Sequence, residues 1–87
     1  MAWNVEILPK VMKALAKIPL RDRRRIFSRI EGLQKEARPE GVKKLKARGD
    51  REFYRIRSGN YRIIYRIEEK RLLVLVVRVA HRKEVYR

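Results

Sequence analysis

The chain has 87 residues, with 25 Lys and Arg against 10 Asp and Glu, a formal net charge of +15 and a sequence pI near 11.1. That length supports one domain around one core. The absence of cysteine excludes disulfides, thiolate catalysis and cysteine–zinc sites.

The positive excess is not a basic tail, because residues 1–50 hold 14 basic and 6 acidic side chains and residues 51–87 hold 11 and 4. The hydrophobic 45% of the chain falls in periodic runs, which is the pattern of a folded body rather than a disordered one. A folded domain this basic throughout is expected to meet a polyanion, nucleic acid above all. The longest apolar run, Leu72 to Val77, is far too short to cross a bilayer, and Asn4 and Glu6 interrupt any apolar leader. A cytoplasmic setting without a membrane partner is expected.

In chain order, Trp3 to Leu8 alternates apolar with polar residues and predicts a strand closed by Pro9. Val11, Met12, Leu15 and Ile18 recur at helical spacing from Pro9 to Pro19. A second helix is predicted over Leu20 to Glu36, with Ile26, Phe27, Ile30 and Leu33 as its apolar stripe and Arg21, Arg23, Arg24, Arg25 and Arg29 mostly outside it. The short Ile18-Pro19-Leu20 link makes these two an antiparallel hairpin that lays its shared apolar face on a sheet. Residues 37–51 read as a loop with a short strand near Lys44 to Lys46.

The remainder is strand-like, and its register follows from counting. Gly59-Asn60 is a two-residue hairpin signal, since both residues tolerate positive φ. It pairs Ser58 with Tyr61, and counting outward sets Arg57 opposite Arg62 and Arg55 opposite Ile64 on one face, with Ile56–Ile63 and Tyr54–Tyr65 on the other. A three-residue connection at Glu69-Lys70-Arg71 then pairs Ile67 with Leu73, Tyr65 with Leu75, Ile63 with Val77 and Arg62 with Arg78. Arg57, Arg62 and Arg78 would thus form a row, with Arg55, Arg66 and Arg82 nearby. Like charges set directly opposite one another are destabilising, so this face is expected to receive an anion.

The segment Tyr54-Arg55-Ile56-Arg57-Ser58-Gly59-Asn60-Tyr61-Arg62-Ile63-Ile64-Tyr65, followed by Val79 to Tyr86, resembles the RelE branch of the RelE/ParE toxin superfamily, across essentially the whole chain. The resemblance implies an α+β fold, a helical hairpin packed on a twisted antiparallel β-sheet. It implies a toxin of a type II toxin–antitoxin system, a ribosome-dependent endoribonuclease cleaving mRNA in the A site by attack of the 2′-hydroxyl on the adjacent phosphate, without metal or other cofactor. The implied partners are the ribosome, mRNA and an acidic RelB-like antitoxin in a hetero-oligomer. By position, Arg55 and Arg57 replace two lysines that assist 2′-oxygen activation and charge stabilisation. Arg62 matches an arginine on the scissile phosphate, Arg82 one at the leaving group, and Tyr86 a tyrosine that orients the substrate base.

Guanidinium stays protonated, so Arg55 and Arg57 cannot act as general bases, and charge stabilisation with in-line positioning must carry any cleavage. Two other readings stay open: a ParE-like gyrase inhibitor that cuts nothing, and a weakly active or inactive RNA- or ribosome-binding relative. Lys43, Lys44, Lys46 and Arg48 form a basic loop segment that either grips RNA or is simply solvated, and Arg66 and Arg78 extend the arginine face. His81, the one histidine, points toward the helix side by parity, near the site with an open role. Tyr54, Tyr61 and Tyr65 read as core. The serines and scattered carboxylates supply neither a serine triad nor a metal cluster.

Overall fold

The structure, a computed structural model, describes residues 2–45 and 52–83. Strand β1 (Asn4–Ile7) leads into α1 (Pro9–Ala16) and α2 (Leu20–Gly32), followed by β2 (Lys43–Lys44), β3 (Glu52–Ser58), β4 (Tyr61–Glu68) and β5 (Leu73–His81). The five strands form one sheet in the order β1-β5-β4-β3-β2, with both helices on one side. This is the expected α+β hairpin-on-sheet arrangement, with one difference. β2, β3, β4 and β5 pair antiparallel, whereas β1 runs parallel to β5, so the sheet is mixed. The crossover from β1 through the helices permits that parallel pairing, which a tight turn would not.

Both helices start after extended residues without a side-chain cap, α1 with Pro at its first position, where the missing N–H costs nothing. Asp22 in the first turn of α2 and Arg29 in its last suit the helix dipole. α2 stops at Gly32 rather than at Glu36. Glycine is a poor helix former, and the following N–H groups of Leu33 and Gln34 turn tightly back to Ile30 and Glu31 carbonyls. This turn buries Leu33 and Ala37 and lets the Gln34 carbonyl accept the Trp3 N–H at 2.8 Å.

The core lies between hairpin and sheet: Val11, Leu15, Ile26, Ile30 and Leu33 from the helices against Ile56, Ile63, Tyr65, Ile67, Val74 and Val76. A fully buried aliphatic side chain of this kind contributes roughly 1.5–3 kcal/mol. Tyr65 satisfies its hydroxyl by donating to the Ala37 carbonyl at 2.7 Å. The β3–β4 hairpin has the predicted register throughout, from Ser58–Tyr61 to Tyr54–Tyr65.

The β4–β5 register differs from the expectation in two steps. A 3₁₀ turn at Glu69–Arg71 is followed by Leu72 in the left-handed region at φ 48°, so the connection is one residue longer and Glu68 pairs with Leu73. Val74 and Val76, not Leu73, Leu75 and Val77, therefore face the helices opposite Ile67 and Tyr65. A register shift between Ile64 and Tyr65 then leaves Val77 over, a bulge that sets Ile64 against Arg78, Ile63 against Val79 and Arg62 against Ala80. The first step alone would have turned Arg78 toward the helices. The bulge restores it to the other face, two residues from its expected partner.

Candidate nucleic-acid interface

Alternation along β3 sends Tyr54, Ile56 and Ser58 to the buried side and Phe53, Arg55 and Arg57 to the other. Their partners extend that second face into rows across the sheet. Nearest the hairpin tip lie Arg57, Arg62 and Ala80, and the next row is Lys43, Arg55, Ile64 and Arg78. Of the expected row, Arg57 and Arg62 are directly opposed, while Arg78 sits diagonally from Arg62 in the neighbouring row. Among the described residues, the ion pairs formed leave Arg55, Arg57, Arg78 and Arg82 without a carboxylate partner.

At the tip the face deepens into a pocket of about 450 Å³ lined by Arg57, Gly59, Asn60, Tyr61, Arg62, Arg82 and Lys83. Three features hold its walls. Gly59 takes φ 58° in the turn, a left-handed conformation that glycine adopts without steric cost. The Arg82 N–H donates to the Asn60 carbonyl at 2.8 Å, which ties the end of β5 to the turn. From the helical layer, Arg29 Nε donates to the Arg57 carbonyl at 3.1 Å. Arg62 is only 4% exposed, whereas Arg57 and Arg82 are open to solvent. Buried and exposed guanidinium forks converging on one concavity suit an anion with several oxygens, such as a phosphodiester.

The structure thus brings together Arg57, Arg62 and Arg82, with Arg55 one row away and Lys43 and Arg78 beside it. Arg66 lies further along the same face, where it pairs with Glu68 at 2.9 Å. Lys44 belongs to the other side: it stands opposite Tyr54 and reaches Glu52 at 3.4 Å. Lys46, Arg48 and Tyr86 fall outside the described residues. His81 is opposite Tyr61 on the helix side, with the rings edge to face at 5.3 Å, and its Nδ1 accepts the Lys83 N–H at 3.3 Å. Sequence reasoning left out Gly59, Asn60 and Lys83, and assigned Tyr61 to the core alone. Tyr61 does pack on the core, and it also lines the pocket. The hairpin signal at Gly59-Asn60 would have located this rim had the β5 register been known.

A different use of charge occupies the far end of the helix-side surface. Arg38 donates to the Tyr54 hydroxyl at 3.0 Å, to Glu52 at 3.3 Å and to Glu69 at 2.6 Å, and Tyr54 in turn donates to Glu52 at 2.7 Å. Hydrogen bonds from Tyr54, Lys44 and Arg38 hold the Glu52 carboxyl below the usual carboxylate range. The Arg38 guanidinium is held above its ordinary value, first by its hydrogen bond to Tyr54. Burial pushes the Tyr65 phenol upward.

Comparison with known proteins agrees with the geometry. Residues 5–86 match the family described as "ParE toxin of type II toxin-antitoxin system, parDE". A relative from Methanocaldococcus jannaschii named as a toxin RelE1 is 29% identical over all of this chain and 98% of its own. Among solved structures, the RelE–RelB complex of Pyrococcus horikoshii is similar at TM-score 0.85 and 33% identity, covering 94% of this chain and 97% of that one. The RelBE2 toxin–antitoxin complex of Mycobacterium tuberculosis is similar at TM-score 0.78 and 26% identity, covering 93% and 99%. With the family pattern matched over nearly its full length and the same fold in these relatives, the chain belongs to the RelE/ParE superfamily, as a RelE-family toxin of type II toxin–antitoxin systems.

Proposed function

We propose that the arginine face grips single-stranded mRNA in the ribosomal A site and promotes its cleavage. The supporting observation is the convergence of Arg57, Arg62 and Arg82 on one pocket at the hairpin tip. In the reaction, the 2′-oxygen forms a bond to the adjacent phosphorus, the phosphorus–5′-oxygen bond breaks, and the 2′-proton passes to solvent or ribosome while the departing 5′-oxygen is protonated. The products are a 2′,3′-cyclic phosphate and a 5′-hydroxyl. Arg62 and Arg57 stabilise the charge on the non-bridging oxygens, Arg82 the leaving oxygen, and Arg55 the neighbouring backbone. Arginines stabilise charge but take up no proton, so the ribosome completes the site. Tyr86 orients the base, as the family resemblance implies.

The exposed charge of this face also suits an acidic antitoxin, which would neutralise the toxin by covering it. RelE–RelB complexes of the relatives support a toxin–antitoxin hetero-oligomer here too. The deciding experiment is induction during translation with primer extension on a reporter message. Cuts within translated codons that disappear in R62A and R82A support cleavage at this pocket. A second reading, gyrase inhibition without cleavage, draws on the ParE description of the matched family and the two arginines at lysine positions. It predicts DNA damage with intact messages.

A further inference from the structure

Away from the hairpin tip the basic face changes character. Its third row is Phe53, Arg66 and Leu75, with Ile64 in the row before. The Leu45 N–H donates to the Phe53 carbonyl at 2.7 Å, which extends the β2–β3 ladder and sets Leu45 beside Phe53. One row further, Glu68 pairs with Arg66 and Arg71 and closes the track with negative charge. A phenyl ring therefore lies on the side of the sheet away from the helices, between Arg55 and Arg66. It is only half-buried and is not part of the cluster that packs helices on sheet. Core packing does not account for it.

Single-stranded nucleic acid is held by a basic groove that tracks the backbone together with aromatic rings on which bases stack. Both parts are present on one face here. We propose that Phe53 is a nucleobase-stacking platform for the same strand whose phosphate occupies the arginine pocket, with Arg55, which meets no carboxylate among the described residues, holding the backbone beside that base. The inference rests on the reading of this face as RNA-binding. Phe53 lies four residues from Arg57, about 13 Å along the strand at roughly 3.3 Å per residue, so the stacked base belongs to a neighbouring nucleotide and not to the one at the pocket. Stacking accepts any base, and the larger ring system of a purine gains most.

The test is fluorescence anisotropy of the full chain with uncleavable 2′-O-methyl oligonucleotides, using F53A, F53L and F53W beside R62A. F53L keeps apolar bulk on the strand and so separates stacking from folding. F53A and F53L are expected to weaken binding roughly 5- to 100-fold, and F53W to bind like the original chain. The penalty of F53L should vanish on an oligonucleotide carrying an abasic residue at one internal position. Undiminished binding by F53L, or an equal loss on every abasic oligonucleotide, overturns the platform. If R62A weakens binding and F53L does not, only the platform fails; if neither does, the RNA-binding reading fails as well.

Discussion

The two ends of the sheet use the same side chain in opposite ways. Around Arg38, each charge has a partner: Glu52, Glu69 and the Tyr54 hydroxyl surround one guanidinium, and Lys44 completes the set. At the hairpin tip Arg57 faces Arg62 directly across the strands, and Arg82 joins them around a cavity. The first arrangement is self-sufficient and holds the α2–β2 connection to β3 and to the 3₁₀ turn. In the second, Arg57 and Arg82 meet no carboxylate among the described residues, which leaves their charge to an incoming anion. Arginine content alone distinguishes nothing; the distribution of carboxylates does.

The largest effect that tests this contrast is on chemistry. R62A should lower cleavage on the order of 100-fold or more in a translation-coupled primer-extension assay, the usual scale for removing one donor to transition-state charge. R38Q should leave the cleavage rate unchanged.

Stability should move the other way. R38Q removes charge-assisted hydrogen bonds to half-exposed partners and should cost about 1 kcal/mol in urea unfolding. R57Q removes an exposed guanidinium that has no carboxylate partner among the described residues and should leave urea stability within about 0.5 kcal/mol. It should also lower the slope of log affinity against log salt by about 0.7 for single-stranded RNA, because one phosphate contact is lost. Equal destabilisation by both substitutions would remove the distinction between the two ends.

A backbone change sharpens the same comparison. In G59A the added methyl meets no atom within 4 Å, so the penalty is that of the left-handed conformation alone, roughly 1–2 kcal/mol. Thermal denaturation should show it as a lower midpoint, and RNA affinity should fall with it because the turn carries the pocket rim.

The pH dependence has two sides. Glu52 has a depressed folded-state pKa, so its stabilisation is complete above the ordinary glutamate value of about 4.3 and is lost as pH falls below that toward the depressed value. Tyr65 has a raised one, so its contribution is complete below about pH 10 and is lost as pH rises past it. Urea midpoints measured against pH in Y65F should lose the alkaline decline attributable to that phenol. An unchanged alkaline limb would contradict its assignment.

How much of this was legible in the sequence follows from where polarity alternates. Along Tyr54 to Tyr65, arginine and apolar residues alternate around a Gly-Asn turn, so a one-residue slip would bury charge and only one register is acceptable. Leu72 to Val77 is apolar at every position, so either parity buries hydrophobic surface equally well. The longer turn at Leu72 and the bulge at Val77 were therefore invisible. The two one-residue displacements cancel in parity, which is why Arg78 and Arg82 were assigned to the correct face with Arg78 given the wrong partner. The parallel β1–β5 pairing left no local mark, since β1 alternates exposed polar with half-buried apolar residues just as an antiparallel strand would. Lys44 shows the limit for loops: charge density suggested RNA contact, and only its pairing with Glu52 reveals a place in the self-sufficient cluster.

The most direct measurement is a titration of the full chain with a short uncleavable single-stranded RNA, followed by NMR at the arginine Nε–H groups. Shifts concentrated on Arg57, Arg62 and Arg82, with Arg38 and Arg71 unmoved, are the predicted result. Shifts at Arg38 or along α2 with none at the hairpin tip would contradict it.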